Sequence, residues 1–188
     1  GAFEPVDVRG AELNGVLRMC LDGDGVLWLV RSEDIRCAQV AYDAGGRASV
    51  GEWERMPLPD GVVFTRYDGD RTIFFTDRNG MLFRFDTGQR RAFPIFALRE
   101  ELGRRGALSS VISDKDDYVL AFGMSGVLRL RSTDPIEGRY ELQEIDVNCG
   151  VFALLKDCNQ DIVWIGTDGS GLLRQAVGEV AIRSVTYE

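Results

Sequence analysis

A short pattern recurs along this chain at a nearly fixed interval. An aspartate-led turn followed by an apolar run that ends in a large hydrophobe occupies residues 22–28, 68–74, 114–120 and 157–164. Self-similarity with a period in the forties is typical of propellers and solenoids, which stack one supersecondary unit repeatedly to bury a shared core. The repeat therefore constrains the architecture strongly and the chemistry weakly.

Each copy reads as a series of short strands. Two apolar segments flank the aspartate-led turn, which is the pattern of a β-hairpin. Two further strand-like segments follow in each copy, at residues 35–42 and 48–54, 81–85 and 91–96, 127–131 and 139–145, and 172–177 and 180–186. Four antiparallel strands make one propeller blade. The sequence therefore predicts an all-β fold, a β-propeller with about four blades present, as an arc or fragment of a larger propeller.

The repeats divide the chain into units with approximate bounds. We expect a single propeller segment, residues 1–188, with repeats at 15–60, 61–106, 107–149 and 150–188. Residues 1–14 precede them, and 3–8 read as the outer strand of an earlier blade. Because the chain opens without methionine, we expect it to be an excised piece of a longer protein.

One segment departs from the strand pattern. Within residues 96–106, Leu98 and Leu102 are four apart and Glu100 stands four before Arg104, with glycines where a helix would end. This segment predicts one or two helical turns between the second and third blades.

Composition excludes several classes of function. The net charge of −8 disfavours a surface that follows phosphates, so we expect no nucleic-acid partner. No apolar run approaches the ~18 residues that a membrane helix needs. Histidine is absent, which removes the commonest general base and zinc ligand. We therefore predict no catalytic residue, no metal and no cofactor.

The four cysteines do not show a metal-binding pattern. Cys20, Cys37, Cys149 and Cys158 lack C-x-x-C spacing and do not follow the repeat. Their even number leaves a disulfide open if the chain is extracytoplasmic. Free, mostly buried thiols are the favoured interpretation.

Two acidic motifs invite a chemical interpretation. Residues 22–25, Asp-Gly-Asp-Gly, offer oxygen ligands for calcium but lack the loop and terminal glutamate of an EF-hand, so a hairpin turn is favoured. Asp116 and Asp117 could form a glycosidase acid/base pair. A solvated turn is again the favoured alternative.

The tryptophans are candidate sugar-stacking platforms. Trp28 and Trp164 occupy a repeated position that Phe74 and Leu120 fill in the other copies, and this interchange with plain hydrophobes favours the blade core. Trp53 lies outside the repeated motif between two glutamates. It is the better candidate for a ligand-binding aromatic, with packing at a sheet edge as the alternative.

Three arginines recur after a Gly-Leu-like step. Arg84, Arg129 and Arg174 occupy equivalent places in the second, third and fourth copies. They are candidates for an anion-binding site. A repeated structural task, such as pairing with a carboxylate, is the alternative.

The fourth copy resembles a known repeat. Residues 164–174 contain Trp-Ile-Gly-Thr and Gly-Leu-x-Arg elements behind the Asp157 turn, and they closely resemble the two-component regulator propeller repeat. The third copy keeps Gly123 and Arg129, and the second keeps Thr76. The first departs most, because its residues 30–34 replace the Gly-Thr and Gly-Leu elements.

The resemblance implies a place in signalling. Such repeats occur chiefly in extracytoplasmic sensor regions of bacterial hybrid histidine kinases, on the periplasmic or extracellular face of inner-membrane proteins, where several sense oligosaccharides. We therefore expect a non-catalytic, ligand- or partner-sensing segment. A carbohydrate-active propeller enzyme that uses carboxylates and a structural protein-interaction propeller remain alternatives. The expected partners are an oligosaccharide and, through exposed blade edges, a second copy.

Overall fold

The computed structural model describes most of the chain. The described residues are 6, 8, 10, 12–58, 60–69, 71–124, 126–147, 149–157 and 159–176, together with the backbone of 183–184. The chain divides into two compact units, Gly1–Pro94 and Ile95–Glu188. Whether it is a single propeller segment stays a prediction. The strand expected at 3–8 and most of the one at 180–186 lie outside the described residues.

The first unit contains two antiparallel sheets. The first sheet consists of β1 (Val16–Leu21), β2 (Val26–Arg31), β3 (Asp34–Tyr42), β4 (Ala48–Val50) and β5 (Glu54–Pro57). Its third strand pairs with both β4 and β5, so this sheet has five strands where four were expected. The second sheet consists of β6 (Phe64–Tyr67), β7 (Thr72–Thr76), β8 (Met81–Asp86) and β9 (Arg91–Ala97).

The second unit has one helix and two sheets among its described residues. Helix α1 spans Arg99–Arg105, within the segment predicted to be helical. The third sheet consists of β10 (Leu108–Asp114), β11 (Asp117–Phe122), β12 (Val127–Asp134) and β13 (Arg139–Ile145). The fourth consists of β14 (Val151–Asp157), β15 (Ile162–Thr167), β16 (Leu172–Ala176) and β17 (Arg183–Ser184). The all-β prediction with blade-like antiparallel sheets is confirmed.

The core of the first unit lies between its two sheets. One face of the first sheet, which carries Trp28 and Ile35, packs against Ile73, Phe75 and Phe85 of the second. The Trp28 and Phe85 rings meet edge to face, with centroids 5.7 Å apart. The apolar residues of β2 and β7 that face each other are therefore buried between the two sheets.

The core of the second unit repeats this arrangement. Val119 and Ala121 of the third sheet pack against Leu154, Val163 and Ile165 of the fourth, and all five are buried. Alternate residues of the central strands therefore face the neighbouring sheet in both units.

The third hairpin is tighter than the alignment of the repeats implied. It has a two-residue loop, and Val119 pairs with Ile112 across it. In the alignment of the repeats, Ile112 corresponds to Cys20 of the first copy. Cys20 pairs with Trp28. Val119 thus takes the structural position of Trp28. The alignment of Leu120 with that position is wrong by one residue.

The described cysteines carry no disulfide. Cys20, Cys37 and Cys149 are free thiols, as favoured from the sequence, and Cys158 lies outside the described residues. Burial raises the pKa of Cys20 to about 11, which keeps the thiol protonated at neutral pH. Among the described residues, no helix has the length and apolar character that crossing a membrane requires.

Candidate functional site

The three recurring arginines occupy one structural position. Each lies on the third strand of its sheet and stands directly opposite a residue of the second strand, in the pairs Arg84–Phe74, Arg129–Val119 and Arg174–Trp164. In the first sheet, Cys37 takes this place opposite Trp28. The position on the third strand, opposite the motif hydrophobe, is therefore common to the four sheets, and in three of them an arginine occupies it.

The environments of the three arginines differ. The Arg129 side chain is 10% exposed, with Nη2 3.0 Å from Asp114 Oδ2 and Nη1 3.3 Å from Asp117 Oδ2. The Arg84 guanidinium carbon lies 5.4 Å from the centre of the Phe93 ring. Arg174 is exposed. A common role as an anion site stays a prediction, with Arg174 the most accessible of the three.

Trp53 is half-buried. A Cβ at Gly10 would lie 3.7 Å from Trp53 Cδ1, so the indole ring packs against the chain at that point. The indole Nε1 is buried and has no hydrogen-bond partner among the described residues. The contact fits the alternative of edge packing, and the role of Trp53 in ligand binding stays a prediction.

The two motif tryptophans are not equivalent. Trp28 is 1% exposed and belongs to the core of the first unit. Trp164 is half-buried and lies outside the core of the second unit, on the face of β15 opposite Val163 and Ile165. The core interpretation therefore fits Trp28 fully and Trp164 in part.

The acidic motifs serve turns and ion pairs. Asp22 Oδ1 accepts hydrogen bonds from the backbone N of Asp24 and Val26, at 3.0 and 2.9 Å. Asp24 forms an ion pair with Arg71 at 2.7 Å. The favoured turn interpretation accounts for the Asp22 carboxylate, and the ion pair accounts for that of Asp24. No group of three or more acidic or cysteine side chains among the described residues could hold a metal ion.

A second acidic pair is likewise engaged by the protein. Asp117 Oδ1 accepts a 2.8 Å hydrogen bond from the backbone N of Ser132, and its other oxygen faces Arg129. Asp116 is exposed in the turn. These contacts favour a structural role for Asp117 over that of an acid/base catalyst.

Both lysines of the chain belong to a charged network in the second unit. Lys156 of the fourth sheet pairs with the buried Asp114 of the third and, at 2.8 Å, with Asp161. Lys115 reaches Asp161 at 3.4 Å. Burial opposes the charged form of Lys156, but hydrogen bonds to the two aspartates outweigh it and raise its pKa. The network connects the hairpins of neighbouring sheets.

A second charged network lies in the first unit and was not anticipated from the sequence. We call it the Asp34 cluster, and it consists of Glu12, Arg31, Asp34, Arg36 and Arg55. Asp34 is 2% exposed, with Oδ2 2.6 Å from Arg55 Nε and 3.3 Å from Arg36 Nη2. Desolvation would raise the pKa of Asp34, but hydrogen bonds from Arg36 and Arg55 lower it below its usual value.

The comparisons with known proteins give matches to solved structures. No protein-family model and no curated protein matches the chain. The extracellular domain of BT4673 from B. thetaiotaomicron, described as a hybrid two component system, is similar with a TM-score of 0.50 and 19% identity, over 93% of this chain and 28% of that one. For the extracellular domain of BT3049, described in the same way, the values are 0.53, 12%, 93% and 25%.

A third match has a different description. PorZ of Porphyromonas gingivalis, described as an essential bacterial surface component of the type-IX secretion system, is similar with a TM-score of 0.60 and 14% identity, over 92% of this chain and 22% of that one. The three likenesses show a shared fold. This chain spans roughly a quarter of the length of these structures.

Proposed function

We propose that this chain is a non-catalytic sensing segment of a bacterial two-component signalling protein, with its sheets forming an arc of a larger propeller. The likeness to the extracellular domains of BT4673 and BT3049 carries the proposal. The resemblance of residues 164–174 to the two-component regulator propeller repeat supports it. On this proposal the segment lies on the periplasmic or extracellular face of the inner membrane.

Several carboxylates already have structural partners, which supports a non-catalytic role. Asp22 caps a turn, and Asp114 and Asp117 face Arg129. The sequence also lacks histidine. The enzyme alternative, which uses carboxylates, would need one that is free to exchange a proton with substrate.

We propose an oligosaccharide as the ligand, as the family resemblance implies. The test is a thermal-shift screen of neutral and acidic oligosaccharides, followed by calorimetry of each compound that raises Tm. A ligand at ~100 times its dissociation constant adds about 2.7 kcal/mol of stability. Failure of every compound to raise Tm would count against an oligosaccharide sensor. Chromatography of the incubated ligand checks the enzyme alternative, because released products would establish catalysis.

Four variants locate the site on the chain. Trp53→Ala, Arg84→Gln, Arg129→Gln and Arg174→Gln each remove one candidate ligand contact. Loss of affinity at unchanged Tm identifies a contact, whereas a lower Tm at unchanged affinity identifies a structural role. Because Arg129 faces two carboxylates, we expect the structural result for Arg129→Gln. Arg174 is exposed, so we do not expect the structural result for Arg174→Gln.

A second candidate function is a structural protein-interaction segment. The likeness to PorZ, a surface component of a secretion system, favours it. Leu17, Met19 and Leu21 of β1 also place exposed apolar side chains on one face of the first sheet. On this alternative, the segment would bind a protein and no oligosaccharide.

A further inference from the structure

The Asp34 cluster lies on one face of the first sheet. Arg36 stands between Leu29 and Arg55 in the register, and Asp34 precedes it by two residues, so their side chains share a face. The opposite face, with Trp28, packs against the second sheet. The same face as Arg36 also carries Met19, paired with Leu29 and 66% exposed.

The cluster contains more positive than negative charge. Three guanidinium groups, from Arg31, Arg36 and Arg55, surround one buried carboxylate, that of Asp34. The three guanidinium groups repel one another, because all of them lie within ion-pair distance of the same carboxylate. A second anion beside the cluster therefore lowers its electrostatic energy, and Glu12 supplies it.

Glu12 is held by two arginines through a single oxygen. Its Oε2 lies 3.0 Å from Arg31 Nη1 and 3.0 Å from Arg36 Nη2. Hydrogen bonds from Arg31 and then from Arg36 lower the pKa of Glu12 below its usual value. The pair of guanidinium groups thus recognises a carboxylate in this structure.

The two arginines are positioned independently of Glu12. Arg36 Nε and Nη2 lie 3.4 and 3.3 Å from Asp34 Oδ2. Arg31 Nη1 lies 3.6 Å from Asp34 Oδ1, which belongs to β3 and stays in place when Glu12 leaves. Side chains fixed in advance lose little conformational entropy when a ligand binds. The pair is therefore prepared to accept an anion.

Glu12 itself is easily displaced. Its side chain is 71% exposed, and it stands four residues before β1. The next residue, Leu13, is 53% exposed. Water reaches the Glu12 side of both ion pairs and screens them, and holding this side chain in place costs entropy, so the pairs contribute modest net stability. Release of Glu12 would leave the core of the sheet intact.

We infer that Arg31 and Arg36 form a binding site for the carboxylate group of an acidic oligosaccharide, and that Glu12 occupies this site when the ligand is absent. The oligosaccharide class rests on the proposed function. The carboxylate rests on the contacts of Glu12. Ligand binding would exchange one carboxylate for another and free the segment before β1.

Calorimetry with matched probes at low salt tests the inference. The probes are trigalacturonate, the neutral trisaccharide galactotriose and the peptide triglutamate. Glu12→Gln should bind trigalacturonate about fivefold to tenfold more tightly than wild type, since it removes an occupant that lowers the competent fraction. Glu33→Gln removes the same charge from an exposed position in the adjoining turn and should change the affinity less than twofold.

Loss of Arg31 tests the same site by removing one of the two groups that bind the carboxylate. Arg31→Gln should bind trigalacturonate at least tenfold more weakly, and it leaves the Arg36–Asp34 pair in place. Arg47→Gln, at an exposed turn in the same unit, should bind like wild type. Melting curves of each variant establish that it is folded.

The outcomes separate this inference from the proposed function. Equal binding of trigalacturonate by wild type, Glu12→Gln and Arg31→Gln would overturn the site and leave oligosaccharide sensing standing. Binding of galactotriose without binding of trigalacturonate would also overturn the carboxylate site and leave oligosaccharide sensing standing. Binding of triglutamate without either sugar would overturn the oligosaccharide and keep the carboxylate site. If Glu12→Gln bound none of the three probes, the inference would fail.

Discussion

Trp28 Nε1 donates a 2.7 Å hydrogen bond to Asp22 Oδ2 and so joins the strand tryptophan to the aspartate that opens its turn. The other oxygen of Asp22 accepts the backbone N–H groups of Asp24 and Val26. One carboxylate therefore fixes both the turn and the ring. In the first copy, the hydrogen bond between the Trp28 ring and the Asp22 carboxylate therefore accounts for the spacing of the two residues.

Asp22→Ala should destabilise the first unit by about 2–3 kcal/mol, because it leaves the nearly buried indole N–H unpaired and removes two turn hydrogen bonds. Asp43→Ala is the matched control. Asp43 caps an exposed turn through the backbone N of Gly45 and Arg47, so its loss should cost about 1 kcal/mol or less. Urea denaturation measures both. Equal losses would show that the indole contact contributes nothing.

The two motif tryptophans should differ in their contribution to stability. Trp28→Ala removes a ring that is 1% exposed and should cost about 3–5 kcal/mol. Trp164 is half-buried, so Trp164→Ala should cost roughly half as much, because burial scales with the area removed from water. Thermal and urea unfolding give the comparison. A larger loss for Trp164 would contradict its placement outside the core.

The strands and hairpins could be predicted from the repeat, but the register of the third hairpin could not. Asp114 pairs directly with Asp117 there, and the aligned sequence gives no sign that the loop is one residue tighter. Because strand side chains alternate, this single residue moves Leu120 to the other face and puts Val119 in its place. The arginine of the third strand, Arg129, confirms the shift because it stands opposite Val119.

The candidate site was predictable only in part. The shared position of the recurring arginines follows from the sequence, whereas their environments depend on neighbours that differ between sheets, such as Phe93 beside Arg84. The Asp34 cluster has a local signal, since Arg31, Asp34 and Arg36 are close in the chain. Arg55 joins them only through the pairing of β3 with β5.

Gly150→Ala should destabilise the second unit. A Cβ at Gly150 would lie 2.5 Å from the backbone oxygen of Gly123, so one of the two chain segments must move. Overpacking of this kind costs about 1–3 kcal/mol. Gly166→Ala is the control, because its Cβ would meet Ala153 Cβ at an ordinary 3.5 Å. Thermal melts that show equal stability for the two variants would contradict the close approach.

Self-association should depend on the exposed apolar residues of β1. We expect the wild-type chain to form dimers or larger species in sedimentation velocity, because Met19 and Leu21 are 66% and 48% exposed. The double variant Met19→Lys/Leu21→Lys should shift the distribution toward monomer at unchanged Tm. Ile136→Lys, at a 97% exposed turn position, should leave it unchanged. A monomeric wild type at all concentrations would rule out this association.

The two lysines of the chain should contribute unequally to stability. Lys156→Met removes a partner from Asp114, whose side chain is 1% exposed, and should cost about 1–3 kcal/mol. Lys115→Met, the control, removes an exposed pair at 3.4 Å and should cost less than about 1 kcal/mol. Urea denaturation at pH 8 measures the difference between these variants.

The pH dependence of that difference identifies its electrostatic origin. The pKa of Lys156 is raised in the folded protein, so its contribution is complete below the usual lysine value of about 10.4 and is lost as the pH rises through the higher folded value. The gap between wild type and Lys156→Met should therefore be constant from about pH 6 to 9 and shrink above about pH 10.5. Lys115→Met should show little change over this range. A gap that persisted unchanged at high pH would assign the loss to packing of the lysine stem instead of its charge.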